Sequence, residues 1–138
     1  MHTRFSNACG EMAASPDVLC VRLAQCAPAP ELLSELFEAA QAAIQAGARS
    51  IAVLVDLTKA SASAANLAAI SAFMRREDVS SERILGTVLV VTETQSQIAR
   101  PILALARQPF SRPFCLATTP EEAADFIAEL VAANDPEN

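Results

Sequence analysis

The chain has 138 residues, enough for one domain with a proper core, and its 52% apolar and 19% charged residues make an ordinary globular balance. A net charge of −6, with one lysine and scattered arginines against sixteen acids, leaves no basic run to grip a phosphate backbone, so nucleic-acid binding is not expected. Six Phe with no Trp or Tyr likewise leave little for base stacking or carbohydrate platforms.

Residues 1–16 show no clear hydrophobic period and read as a loose arm, contributing at most one short edge strand. VLCVRLA (Val18 to Ala24) reads as a strand with Leu19, Val21 and Leu23 on one face. Arg22 shares the other face with Val18 and Cys20, a half-polar pattern expected of an edge or near-edge strand. APAPELLSELFEAAQAAIQAG (Ala27 to Gly47) is the strongest helix. Pro30 suits its first position, Glu31 the positive end of the dipole, and Gly47 its stop. Leu33, Leu36, Phe37, Ala40 and Ile44 form its apolar stripe.

SIAVLVD (Ser50 to Asp56) is apolar almost throughout, as in a parallel strand covered on both faces. After a polar loop, Leu67, Ile70, Phe73 and Met74 predict a second helix, with Arg75 and Arg76 complementing its end. ILGTVLVV (Ile84 to Val91) is the next central strand. IARPILALARQ then has Ile98, Ile102 and Leu105 at helical spacing, and two starts fit it. Thr94 and Gln97 resemble a capping box but leave Pro101 inside the helix, whereas a start near Arg100 places that proline harmlessly. RPFCLAT (Arg112 to Thr118) is a short fourth strand. In TPEE, Thr119 caps the last helix, Pro120 takes its first turn and Glu122 reaches back, with Ala123, Phe126, Ile127, Leu130 and Val131 facing inward. The alternation βαβαβαβα predicts a single α/β domain over 17–134, with a four-stranded, mainly parallel sheet, helices packed on it and a short tail at 135–138.

Ligands in such sheets collect beyond the carboxyl ends of the strands. Two loops there hold the candidate residues: DLTKASASAAN, with Asp56, Thr58, Lys59, Ser61, Ser63 and Asn66, and TETQSQ, with Thr92 and Thr94. Arg100 could add a positive charge at the same rim, where a helix N-terminus would favour an anion. Sharper chemistry does not fit. Three glycines provide neither a P-loop nor a dinucleotide fingerprint, and the one histidine, His2, leaves serine or cysteine nucleophiles without a base. An aspartyl-phosphate receiver at Asp56 would want an acidic pair after the first strand, which ends instead in AQCA. Cys9, Cys20, Cys26 and Cys115 form no CxxC pair and read as reduced thiols without a metal. No cofactor and no catalytic residue is expected. Without an apolar run long enough to span a bilayer or an apolar leader segment, the expected setting is cytoplasmic.

The run AVLVDLTKAS, then a helix, then ILGTVLVVT and FCLATTPEEAADFIAEL, resembles the STAS superfamily, which includes the bacterial anti-sigma-factor antagonists. The resemblance covers roughly the last two-thirds of the chain, with Asp56-Leu57-Thr58 at the strand end where relatives carry Asp-Leu-Ser or Asp-Leu-Thr. It implies an α/β regulatory domain that docks a protein partner, a regulator or kinase-like protein, through its rim loops; it is also compatible with a homodimer. The antagonists are switched by phosphorylation of a serine at the start of the following helix, but the matching Ala64-Ala65-Asn66-Leu67 has no hydroxyl. Ser61 and Ser63 lie nearby as candidate phosphorylation sites, where added negative charge would suit a helix N-terminus. Two alternatives stand beside this reading. One is a pocket for a small apolar ligand or lipid, lined by Phe110, Phe114 and Cys115. The other is an anion-binding subunit of an enzyme complex using Arg100 and the TETQSQ helix start.

Overall fold

A computed structural model describes residues 3–23, 30–47, 50–59, 83–104 and 113–134. The first two strands, β1 (Thr3–Asn7) and β2 (Gly10–Ala14), form a tight hairpin that leads into β3 (Val18–Leu23). Helix α1 (Pro30–Ala46) precedes β4 (Ile51–Asp56). Then come β5 (Ile84–Val90), helix α2 (Glu93–Ala104), β6 (Phe114–Ala117) and helix α3 (Pro120–Asn134). The strands make one six-stranded mixed sheet in strict chain order; β1, β2 and β3 pair antiparallel, and β3 to β6 pair parallel.

The α/β class follows the sequence expectation, but two details are corrected. The sheet has six strands rather than four, because residues 3–14 form the hairpin where a loose arm is predicted. Its strands are only five residues long, too short for a period to stand out. What organises them is non-local. Phe5 faces Met12 across the pair, and Met12 faces Val21, so each apolar residue finds its neighbour across the sheet. Asn7 fastens the hairpin by accepting from Cys9 N (2.8 Å) and donating to Leu32 O of α1 (2.8 Å). Strand β3 therefore lies inside the sheet, third of six. Its half-polar alternation reports an uncovered face, not an edge.

Since the parallel strands never reverse order, crossovers of one hand place their helices on one face. The larger core obeys this. Leu36, Phe37, Ala40 and Ile44 of α1, with Ile98 and Ala99 of α2, pack with Leu19, Val21, Val53, Val55 and Leu89. Helix α3 covers the opposite face over β4 to β6, where Ala123, Phe126 and Ile127 meet Leu54, Val88, Val90 and Ala117. Its start is as predicted. Thr119 Oγ1 accepts from Glu122 N (3.2 Å), while Glu122 Oε1 reaches back to Thr118 N (3.4 Å) and Oγ1 (3.1 Å).

Neither start predicted for α2 is the observed one. The cap is Thr92, two residues earlier, with Gln95 closing the box: Gln95 N donates to Thr92 Oγ1 (3.1 Å), and Thr92 N donates to Gln95 Oε1 (2.9 Å). Pro101 thus lies inside α2. The backbone bond it forgoes is offset by the buried anchorage of Gln95, Ser96 and Ala99 in the preceding turns. The predicted helix over Leu67 to Met74 lies outside the described residues.

Candidate functional site

The carboxyl ends of β4 and β5 are neighbours, with Asp56 opposite Val90. This juxtaposition brings the two predicted rim loops side by side. Asp56 closes the end of β4: its Oδ1 accepts from Thr58 N (2.9 Å) and Thr58 Oγ1 (2.7 Å), turning the chain sharply outward. Its other oxygen, Oδ2, lies 3.9 Å from Arg22 Nε on β3, in a loose pair whose side chains are 26% and 63% exposed. Such a pair contributes little to stability. Leu57 turns inward and is fully buried, leaving Thr58 and Lys59 exposed on the rim.

Gln95, absent from the sequence-derived candidates, joins the two loops. It is 3% exposed, and its Nε2 donates to Leu57 O at 2.6 Å while its backbone and Oε1 serve the Thr92 cap. One side chain therefore ties the turn after β4 to the start of α2. The signal for it was the T-x-x-Q spacing of Thr92 and Gln95, which overlaps the similar spacing of Thr94 and Gln97. Thr92 and Thr94 are exposed beside it. Arg100 is also exposed, but it stands about 10 Å along α2 from the helix start, by the ordinary rise per residue. Glu93 occupies the first turn instead. Ser61, Ser63 and Asn66 lie outside the described residues.

Around the corner from this rim is a polar expanse with no signal in the motif reading. Over β1 to β3, the sheet face opposite α1 carries Arg4, Ser6, Glu11, Ala13, Cys20 and Arg22. Two adjoining concavities of about 540 and 370 Å³ lie along it, the second reaching Asp56 and Lys59. Among the described residues, no group of three His, Cys, Asp or Glu is placed to hold a metal ion. No described helix is long and apolar enough to cross a membrane.

Burial pushes the Cys20 thiol above its ordinary 9.0; Arg22 opposes the rise by charge and hydrogen bond, and Asp56 and Glu11 add to it. Cys115 is raised as well, first by burial and then by Glu122. A thiol raised in this way holds its proton more tightly folded than unfolded. Its contribution to stability is complete below 9.0 and fades as pH climbs through the folded value. Unfolding free energy from urea titrations is thus expected to fall between about pH 8 and pH 10. A Cys20→Ala/Cys115→Ala variant should fall less steeply, and equal slopes would contradict the assignment.

No protein-family model, curated protein or solved structure matches this chain.

Proposed function

We propose that this chain is a non-enzymatic regulatory interaction domain of STAS-like type, docking a protein partner through the rim at the carboxyl ends of β4 and β5. The observation that carries the reading is the buried Gln95 bridge to Leu57 O, which holds two loops as one surface. A surface ordered before binding loses less freedom on binding, and Thr58, Lys59, Thr92 and Thr94 are displayed on it with their backbones already fixed. The parallel run β3 to β6, with helices following β3, β5 and β6, supports the same assignment.

The other readings draw less support from the geometry. Of Phe110, Phe114 and Cys115, proposed to line one apolar pocket, Phe110 lies outside the described residues, and Phe114 and Cys115 project to opposite faces of the sheet, into separate clusters. The apolar void under α1 amounts to about 30 Å³, room for about one water rather than a lipid. Arg100 lies two turns from the helix start with which it was to share an anion.

Affinity capture with the whole chain, from the cells that encode it, tests the docking reading. Lys59→Glu combined with Thr94→Arg alters two exposed positions and is expected to leave the fold intact by circular dichroism. Capture of the partner should fall about tenfold or more. Equal capture by the variant, or no specific protein captured by the wild type, would refute it.

A further inference from the structure

One edge of the sheet is β1, and the hairpin dictates what that edge displays. The two-residue turn closes Asn7 on Gly10 as a pair that exchanges both backbone bonds, and such pairs recur at every second residue. Phe5 with Met12 and Thr3 with Ala14 therefore bond in the same way. Arg4 and Ser6 point their N–H and C=O groups off the edge, where no strand among the described residues pairs with them. Side chains alternate too. Phe5 lies on the α1 face, packed on the larger core yet only half-buried, while Arg4 and Ser6 are exposed on the other face. Helix α1 lies over β1 and β2. Its Phe37, Ala40, Gln41 and Ile44 look toward β3 to β5. At roughly 3.6 residues per turn, Leu32, Ala39 and Ala43 form the opposite flank, above the edge, and all three are half-buried. The bond from Asn7 to Leu32 O fixes that flank on the β1 side.

We propose that β1 pairs edge to edge, antiparallel, with β1 of a second copy of the chain, about a two-fold axis beside Phe5 and normal to the sheet. Arg4 then bonds the partner's Ser6 and Ser6 the partner's Arg4, each pair exchanging both backbone bonds. Phe5 meets the partner's Phe5 across the axis, an aromatic pair on the α1 face. A slip of two residues one way sets Arg4 on the partner's Arg4, and a slip the other way takes Phe5 off its mate. Charge selects the same register. Arg4 joins the partner's open-face row just beyond its Ser6, two strand spacings or about 10 Å from its Glu11, and these two long side chains close that gap over the serine. Each copy contributes one arginine and one glutamate, as an isologous interface requires. A foreign extended peptide would satisfy the backbone without matching either Phe5 or the charges. The half-buried flanks of the two α1 helices come side by side above the joint. Helix α3 covers β4 to β6 on the other face, three strands from the joint, and does not obstruct it.

The contact is small. A five-residue strand, about 16 Å long at about 3.3 Å per residue, and the strip of α1 above it fall short of the roughly 800 Å² per partner of standard interfaces. The dimer is therefore weak, with a Kd on the order of tens of micromolar. Because β1 and β4 run the same way and the two copies run oppositely, their rims point apart and both stay free. The inference is independent of the rim reading, since it uses another surface and another partner.

Sedimentation equilibrium of the full chain from about 10 to 500 µM tests it. The wild type is expected to show a reversible monomer–dimer equilibrium. Ser6→Pro removes an outward N–H from each copy, a change that an unpaired edge tolerates, and should weaken self-association about tenfold or more. Arg4→Glu alone and Glu11→Arg alone bring like charges together across the joint and should each weaken it about fivefold. Mixed in equal amounts, these last two variants should form a one-to-one dimer about as tight as the wild type's, because the glutamates at 4 and 11 of one then face the arginines of the other. Charges that act only within one chain cannot produce that heterodimer. All three sites are exposed, and cooperative urea transitions will verify that the variants fold. A wild type that stays monomeric throughout, a Ser6→Pro variant that dimerises like it, or a mixture no tighter than its components would each overturn the proposal. The first of these is also what an edge reserved for a different protein would give.

Discussion

Gln95→Ala is expected to lower the unfolding free energy by about 3 kcal/mol, the largest loss from any one polar side chain of the rim. Removing the amide strips the buried Leu57 carbonyl of a donor now 2.6 Å away, and leaving such a group unsatisfied costs about 1–3 kcal/mol. The Thr92 N–H loses its acceptor at the same time, and a lost cap costs about 1 kcal/mol. Urea titration measures the sum. Thr92→Ala alone should cost about 1 kcal/mol, and the double variant little more than Gln95→Ala, because the two residues share one box. Amide exchange from Leu57 to Lys59 should quicken in Gln95→Ala, since the turn after β4 is then released from α2. A loss below about 0.5 kcal/mol would show that the bridge does not hold the rim.

Gly86→Ala is expected to cost about 2 kcal/mol for the opposite reason, too much matter rather than too little. Gly86 lies on β5 beneath α3, and an alanine Cβ there would fall 2.8 Å from Pro113 O and 2.8 Å from Leu130 Cδ1. Leu130 can turn aside. Pro113 O cannot move so freely, because it accepts from Thr87 N at 3.0 Å and so starts the pairing of β5 with β6. The midpoint in urea should fall without a change of slope. Adding Leu130→Ala should recover only part of the loss, since it relieves the side-chain clash and not the backbone one. Full recovery would place the strain in the helix contact alone; a Gly86→Ala variant as stable as wild type would refute the packing account.

Much of the fold is legible in the chain because its signals are local. The stripe of Leu36, Phe37, Ala40 and Ile44 repeats at the helical period, and all four are buried. The apolar run of β4 and the Thr-Pro-Glu-Glu start of α3 likewise depend only on near neighbours, and they appear where expected. The features that were misread depend on distant partners. Residues 3–14 become strands because Met12 finds Val21 and Asn7 finds Leu32, contacts that no short window contains. Arg22 reads as the mark of an edge or near-edge strand by itself, yet β3 is third of six and its arginine faces an open surface between Glu11 and Asp56.

The candidate site divides in the same way. The position of Asp56, Thr58, Lys59, Thr92 and Thr94 at the strand ends is legible because strand ends in α/β sheets carry polar loops, a rule that depends on chain direction alone. Gln95 was missed because its burial follows from the adjacency of β4 and β5 and from the true start of α2. Sequence alone located α1, α3 and the parallel strands, with their polar strand-end loops, since periodicity and capping act over a few residues. Tertiary structure alone decided the hairpin, the strand order, the bridge between the loops and the row of charges on the open face. Those depend on register between segments far apart in the chain, where the free energy comes from pairing and no residue carries it by itself.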